Sequence, residues 1–239
     1  MIVVTLTSWT QRIKYVKNVV ESIMNGTKKP DRVYLNLSET EFNGVELPKD
    51  LVDYFNSDKR LIINWVKGPN TKAMKKIFPI LDYLKDEDII IDADDDILFP
   101  EDLIASRLRD FETYGRKYCI TSNAHRSVGF GGKMYVVSAL SLFQKKMFNQ
   151  WRKFVTEKII ETNNDDRTYL HLIWLNGYYN KPCTQWTVQE LLKSYDMKLE
   201  SPLGKTKQII TGRIYDLVAY REYYKPREKE IVTSFGRMR

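Results

Sequence analysis

Four carboxylates, Asp92, Asp94, Asp95 and Asp96, fall within five consecutive positions with only Ala93 among them, directly behind the apolar run Ile89, Ile90 and Ile91. Carboxylates held within a few Å of one another repel unless a cation joins them. A hard divalent ion does this most simply, because Mg²⁺ or Mn²⁺ takes one or two protein carboxylates and completes its shell with water and substrate phosphates. In extended chain Asp94 and Asp96 project together while Asp95 points away, so Asp94 and Asp96 are the expected metal ligands. The plainer alternative is a solvated acidic turn before a helix opened by Pro100, Glu101 and Asp102, whose charge merely suits the helix dipole.

A second acidic group, Asn163, Asn164, Asp165 and Asp166, begins a helical pattern. A carboxylate there can take a proton from a hydroxyl, or the four residues can simply cap the helix. Thr5, Thr7 and Arg12 stand where a first strand gives way to a first helix, a place that suits a bound nucleotide as well as a cap and a surface charge. Lys72, Lys75 and Lys76 form a basic flank at helical spacing, with Lys72 at its turn end the best placed for a diphosphate. His125 with Arg126, and the pair Gly131 and Gly132, complete the set. Glycines permit close backbone approach to a ligand or make a tight turn, and a lone histidine is commonly structural.

Alternating elements must position these groups. Apolar, β-branched runs predict strands at 2–6, 32–37, 61–66, 88–91, 118–121 and 134–137. Helical spacing predicts helices at 13–24, 48–55, through Met74, Ile77, Phe78 and Leu81, and at 100–114, 144–156 and 166–176, with Gly68, Pro69, Gly26 and Gly177 as breakers. Residues 123–126 and 129–132 read as loop, and 187–195 and 213–224 as helical. The expected fold is α/β, a mixed and mostly parallel sheet with helices on both faces, over residues 1–184. Ligands of such sheets sit beyond the carboxyl ends of the strands, where the acidic run falls. Residues 185–239 are expected to form a basic helical extension.

The chain has 239 residues, enough for one sizeable α/β domain with such an extension. No apolar run approaches the ~18 residues of a membrane span, and the first residues lack the basic start and long apolar core of a signal peptide, so a cytoplasmic protein is expected. Cys119 and Cys183 are isolated in apolar surroundings and read as reduced, buried thiols. The net charge is +7, and beyond Ser201 nine Lys and Arg face four Asp and Glu. That tail is expected to make peripheral contact with an anionic membrane at its inner face. A basic nucleic-acid-binding module is the non-enzymatic alternative, but no nucleic acid is expected, since no recognised motif accompanies the charge.

The run from Asp94 through Ile97, Leu98, Phe99 and Pro100 resembles the D-x-D region of GT-A-fold glycosyltransferases, in particular the family-2-like bacterial and viral enzymes of capsule, lipopolysaccharide and related polysaccharide biosynthesis. Gly68-Pro69-Asn70-Thr71-Lys72 is similar to a GPxTK turn of that family, Asn123-Ala124-His125-Arg126 to its xAHR segment, and Gly131-Gly132-Lys133-Met134-Tyr135 to its GGxxY segment. Asp165 and Asp166 match its acid pair, in a helix aligned without a gap to Gly177. The resemblance spans roughly residues 2–183. It implies a metal-dependent hexosyl transfer, inverting, from a nucleoside diphosphate sugar, UDP-sugar favoured, to a hydroxyl of a glycan or lipid-linked acceptor. It further implies Thr5, Thr7, Arg12 and Lys72 on the nucleotide, Asp94 and Asp96 on Mn²⁺ or Mg²⁺, and Asp95 on ribose or sugar. His125, Arg126, Gly131 and Gly132 would face the sugar, Asp166 would be the general base and Asp165 its neighbour. Many GT-A enzymes also use a late histidine as a metal ligand, whereas this chain has only His125 and His171. A sugar-nucleotide pyrophosphorylase is the rival enzyme, but those open with a glycine-rich loop, and residues 6–13 contain no glycine.

Overall fold

The computed structural model describes residues 1–123, 135, 137, 139–187 and 190. His125, Arg126, Gly131, Gly132, most of the strand expected at 134–137 and nearly all of the extension 185–239 lie outside the described residues. Within them one seven-stranded sheet organises the chain, in the order β3-β2-β1-β4-β6-β5-β7. The strands are β1 (Ile2–Thr7), β2 (Arg32–Ser38), β3 (Leu61–Val66), β4 (Ile89–Ala93), β5 (Tyr118–Thr121), β6 (Leu142–Gln144) and β7 (Tyr179–Pro182). β1 pairs in parallel with β2 and β4, β2 with β3, and β5 with β7, while β6 runs antiparallel between β4 and β5. The order reverses at β1, whose neighbours β2 and β4 lie on opposite sides, and the crevice beyond such a reversal is where open α/β sheets bind ligands.

The central strands β1 and β4 are buried almost without interruption, as a sheet covered on both faces requires, and successive residues enter opposite cores. Val4, Leu6, Val33, Leu35, Ile89 and Ile91 join one core, beneath α1 (Val16–Met24), α2 (Lys49–Ser57) and α3 (Leu103–Thr113). Val3, Ile90 and Phe143 join the other, which is rich in aromatic rings. There Phe78 stacks on Trp151 with centroids 4.9 Å apart, and Tyr169 meets both Phe78 and Phe148 edge-on at 5.7 Å. Tyr169 belongs to α6 (Asp165–Leu175), so this cluster fixes the helix whose first turn carries the second acid pair. Removing one such ring costs about 3–5 kcal/mol.

Several elements differ from expectation. The helix expected through Met74 and Leu81 is two 3₁₀ helices, Lys72–Lys76 and Phe78–Tyr83, because Pro79 removes an amide donor and blocks a continuous α turn. Lys72 enters with φ of 52°, a left-handed conformation. β6 replaces the start of the helix expected at 144–156, which shrinks to a 3₁₀ turn and α4 (Trp151–Phe154), followed by α5 (Glu157–Glu161). Helix α3 begins at Leu103 with no acidic residue in its first turn, and Asp102 instead accepts from Trp186 Nε1 at 2.6 Å. Cys119 and Cys183 are free and buried, as expected.

Buried polar groups stitch distant segments together. Arg107, wholly buried in α3, donates to the carbonyls of Leu140, Gln185 and Trp186 at 2.8, 2.7 and 2.7 Å. Close approach also explains Gly26: a Cβ there would lie 3.0 Å from the Glu101 carbonyl, which accepts from the Thr27 amide at 2.7 Å. Among the described residues no helix is long and apolar enough to cross a membrane.

Candidate active site

β1 and β4 end side by side, and their loops build one wall of a cavity of about 610 Å³, within the size range of small-molecule sites. β4 stops at Ala93, so alternation no longer governs the residues that follow. Asp94 and Asp96 therefore do not pair off from Asp95 as expected; Asp95 and Asp96 share Arg12, at 3.1 and 2.8 Å from its Nη1. The second oxygen of Asp95 accepts from Ser8 Oγ at 2.6 Å, so both of its oxygens are held by protein groups. Asp94, the most open of the three with 37% of its side chain exposed, pairs with Lys76 at 2.7 Å.

Lys76 is the hub that sequence reasoning misread as part of a solvated flank. Its side chain is 7% exposed, and its Nζ lies 3.2 Å from Asp165 and 3.9 Å from Asp92 as well. Its own carbonyl accepts from Thr5 Oγ1 at 2.5 Å and Asn36 Nδ2 at 3.1 Å, which docks the 3₁₀ turn on β1 and β2. Thr5 is thereby consumed inside the protein and does not reach the cavity, contrary to the expectation of a nucleotide contact. The one signal in the sequence was that Lys75 and Lys76 sit between Met74 and Ile77, both buried. Lys75 is buried too, donating to Glu41, Asn70 and the Lys72 carbonyl at 3.1, 3.1 and 3.2 Å.

The remaining wall is mixed. Thr7, whose hydroxyl donates to the Asn36 carbonyl at 2.8 Å, lines it together with Trp9, an indole 40% exposed. Lys72 lines it from the surface, donating to the Glu161 carbonyl at 3.4 Å. Glu41, Asn70, Asn163 and Asp165 complete the lining. Asp166 is not part of that wall; it sits beside Asp165 in the first turn of α6, which Asn164 caps by accepting from the Arg167 amide at 3.2 Å. The cavity thus gathers Thr7, Arg12, Lys72, Asp94, Asp95, Asp96 and Asp165 from the expected set, and Ser8, Trp9, Glu41, Asn70, Lys75 and Lys76 besides.

Crowding of charge perturbs these groups. Burial pushes Asp92 up to about 8, with Lys76 opposing, and its Oδ2 finds no hydrogen-bond partner among the described residues. Burial and then Asp94 push Asp96 up to about 6, although Arg12 opposes them. Asp166 lies well above the usual carboxylate range through burial and its neighbour Asp165. Burial works against the Lys76 charge, yet Asp94, Asp165 and Asp92 hold its pKa well above that of a free lysine. The two cations beside the tip do not fully compensate its acids, and hard oxygen donors on a cavity wall fit a divalent cation held by one or two carboxylates. Among the described residues no group of three or more His, Cys, Asp or Glu side chains is arranged to hold a metal, so the fit rests on Asp94 and Asp96.

No family model matches the sequence, and neither does any curated protein sequence. Solved structures do match. Residues 1–349 of S. aureus TarS superpose with a TM-score of 0.57 at 9% identity, over 95% of this chain and 73% of that chain. The same protein in complex with UDP-GlcNAc gives 0.57 at 9%, over 93% and 67%. The 2-C-methyl-D-erythritol 4-phosphate cytidylyltransferase IspD of Francisella tularensis gives 0.50 at 9%, over 81% and 97%. At these identities the likeness shows the fold, a Rossmann-like α/β architecture of GT-A type.

Proposed function

We propose that this GT-A-type chain transfers a sugar from a nucleoside diphosphate donor, a UDP-sugar by preference, to a hydroxyl of a glycan or lipid-linked acceptor. The observation that carries the proposal is the meeting, in one cavity beyond β1 and β4, of a carboxylate tip, fixed cations and a second acid pair. Binding of UDP and UDP-GlcNAc by TarS, on the same fold, supports the donor class. Mn²⁺ or Mg²⁺, held by Asp94 and Asp96, would supply Lewis-acid stabilisation of the departing diphosphate. Arg12 and Lys72 add preorganised positive charge to the same developing negative charge. Trp9 offers an indole face to base or sugar, and Asp95, held by Arg12 and Ser8, orders the loop between them. At the other wall Asp165 meets the acceptor hydroxyl. Asp166, its neighbour in the first turn of α6, is the proposed general base by resemblance, taking the proton as the sugar transfers. A single in-line displacement of this kind inverts the anomeric centre. His125, Arg126, Gly131 and Gly132 belong to the proposed sugar side by resemblance, and the basic segment 185–239 to contact with an anionic membrane surface.

Thermal shift and calorimetry with UDP, GDP, CDP and dTDP, with and without Mn²⁺, test the donor. UDP is expected to bind in a metal-dependent way that Asp94→Ala abolishes with the fold intact. Full-affinity UDP binding in EDTA sinks the metal role, and no nucleotide binding at all sinks the proposal. The shared fold of a cytidylyltransferase keeps nucleotidyl transfer as the second reading. Release of pyrophosphate from a nucleoside triphosphate, rather than of UDP from a UDP-sugar, would establish it.

A further inference from the structure

Lys76 stands between two acids that arrive from distant parts of the chain. Asp94, 2.7 Å from its Nζ, follows β4; Asp165, at 3.2 Å, opens α6. The backbone of Lys76 is held by Thr5 and Asn36, so the freedom left to it is in the side chain. A buried ammonium is tolerated only while carboxylates neutralise it. Here it has a graded set, with Asp94 37% exposed, Asp165 16% and Asp92 fully enclosed 3.9 Å away. The acid most open to the cavity is thus the one Lys76 can give up while remaining paired. A divalent cation arriving at Asp94 meets an ammonium already on that carboxylate, and the two charges repel. Among the described residues Lys76 is also the ion-pair partner that holds Asp165.

We infer that Lys76 is a positioning residue shared by both halves of the site: it competes with a divalent cation for Asp94 and, once displaced, stays on Asp165. The inference rests on the transferase reading above. It makes donor loading and acceptor-side order one event, since the cation that takes Asp94 leaves the lysine to Asp165, with Asp92 behind it.

The test compares wild type with Lys76→Met, Lys76→Arg and the double variant Lys76→Met/Asp165→Asn. The double variant removes one acid with the lysine and keeps the comparison readable if Lys76→Met does not fold. Mn²⁺ alone is titrated and the free ion followed by electron paramagnetic resonance, and kcat and donor KM are measured separately. Removing the competitor is expected to tighten Mn²⁺ binding about tenfold or more in both Met variants, while Lys76→Arg stays near wild type. Turnover of Lys76→Met is expected to fall about 10- to 100-fold, with donor KM not raised. A folded Met variant with unchanged or weaker Mn²⁺ affinity overturns the inference, as does Lys76→Arg behaving like Lys76→Met. Wild type that binds UDP but never Mn²⁺ overturns it too, while leaving the nucleotide site standing. Binding of neither removes the transferase reading along with it.

Discussion

Replacing Asp96 by Asn should stabilise the metal-free protein at neutral pH while destroying its ability to bind the donor. The folded protein raises this carboxyl from an ordinary 3.8 to about 6, through burial first and then the nearby charge of Asp94. Between those two values the native state holds a proton that the unfolded chain has released. The native state therefore loses ground steadily as pH rises through this window, and above about 6 the full penalty applies. At 1.36 kcal/mol per pKa unit the penalty is roughly 3 kcal/mol, and screening of a side chain 24% exposed brings it to about 2. The 2.8 Å pair with Arg12 already opposes the rise and is contained in that figure. The net gain for Asp96→Asn above pH 6 is then about 2 kcal/mol, or roughly 4–8 °C in Tm for a chain of this size. Thermal melts in EDTA from pH 4 to 8 give the difference between variant and wild type, which should be small near pH 4, grow to pH 6 and then level off. UDP binding with Mn²⁺, measured on the same samples, should be lost. A variant that melts lower than wild type at pH 7.5, or a difference flat across the whole range, would refute the reasoning.

Asp166→Asn should cost about 10²- to 10⁴-fold in turnover with donor binding close to normal, Asp165→Asn less, and NMR of the product should show an inverted anomeric centre; retention, or wild-type turnover in Asp166→Asn, returns Asp166 to helix start alone. Arg107→Met should destabilise the fold by about 3 kcal/mol in urea, because it strands the buried Leu140 carbonyl and removes the charged donor shared by the Gln185 and Trp186 carbonyls. Burial takes His171 down to about 3, so its ring stays neutral in the fold while the unfolded chain protonates below about 6.5. Stability attributable to His171 is thus present above pH 6.5 and lost as pH falls toward 3, and its ring resonances should not titrate between pH 5 and 8.

What could be read in the sequence was local. β1 to β5 announce themselves as apolar or β-branched runs, and the acid tip as a strand ending in charge. Helix α1 shows its buried stripe at Val16, Val19, Val20 and Ile23. What escaped depends on contacts made across the chain. β6 is three residues long and exists because Ile90 and Ile120 present partners to Phe143 and Leu142. Lys76 looks like any surface lysine until Asp92, Asp94 and Asp165, spread over more than a third of the chain's length from the lysine's own turn to α6, are brought around it. The facing of Asp94 and Asp96 was misjudged for a smaller reason, the ending of β4 one residue before them. Thr5 had the right position for a ligand contact but points to the covered face of β1, where the Lys76 carbonyl takes its hydroxyl.

The contact that requires Gly26 bears on how the site moves. The segment behind the acid tip is fastened to α1 and the turn after it by three hydrogen bonds: the Thr27 amide and hydroxyl donate to the Glu101 carbonyl at 2.7 and 3.1 Å, and the Phe99 amide to Ser22 Oγ at 2.9 Å. Loop and helix must then travel as one body, so the wall bearing Asp94 to Asp96 has no independent hinge. The facing wall is joined differently. Asn163 has φ of 49° and Lys72 52°, and the links between their segments, Ala73 amide to Asn163 Oδ1 and Lys72 Nζ to the Glu161 carbonyl, are both 3.4 Å and exposed. Any breathing that admits substrate or releases product is therefore borne by residues 70–73 and 161–164, where microsecond-to-millisecond exchange broadening should concentrate while the acid tip stays quiet.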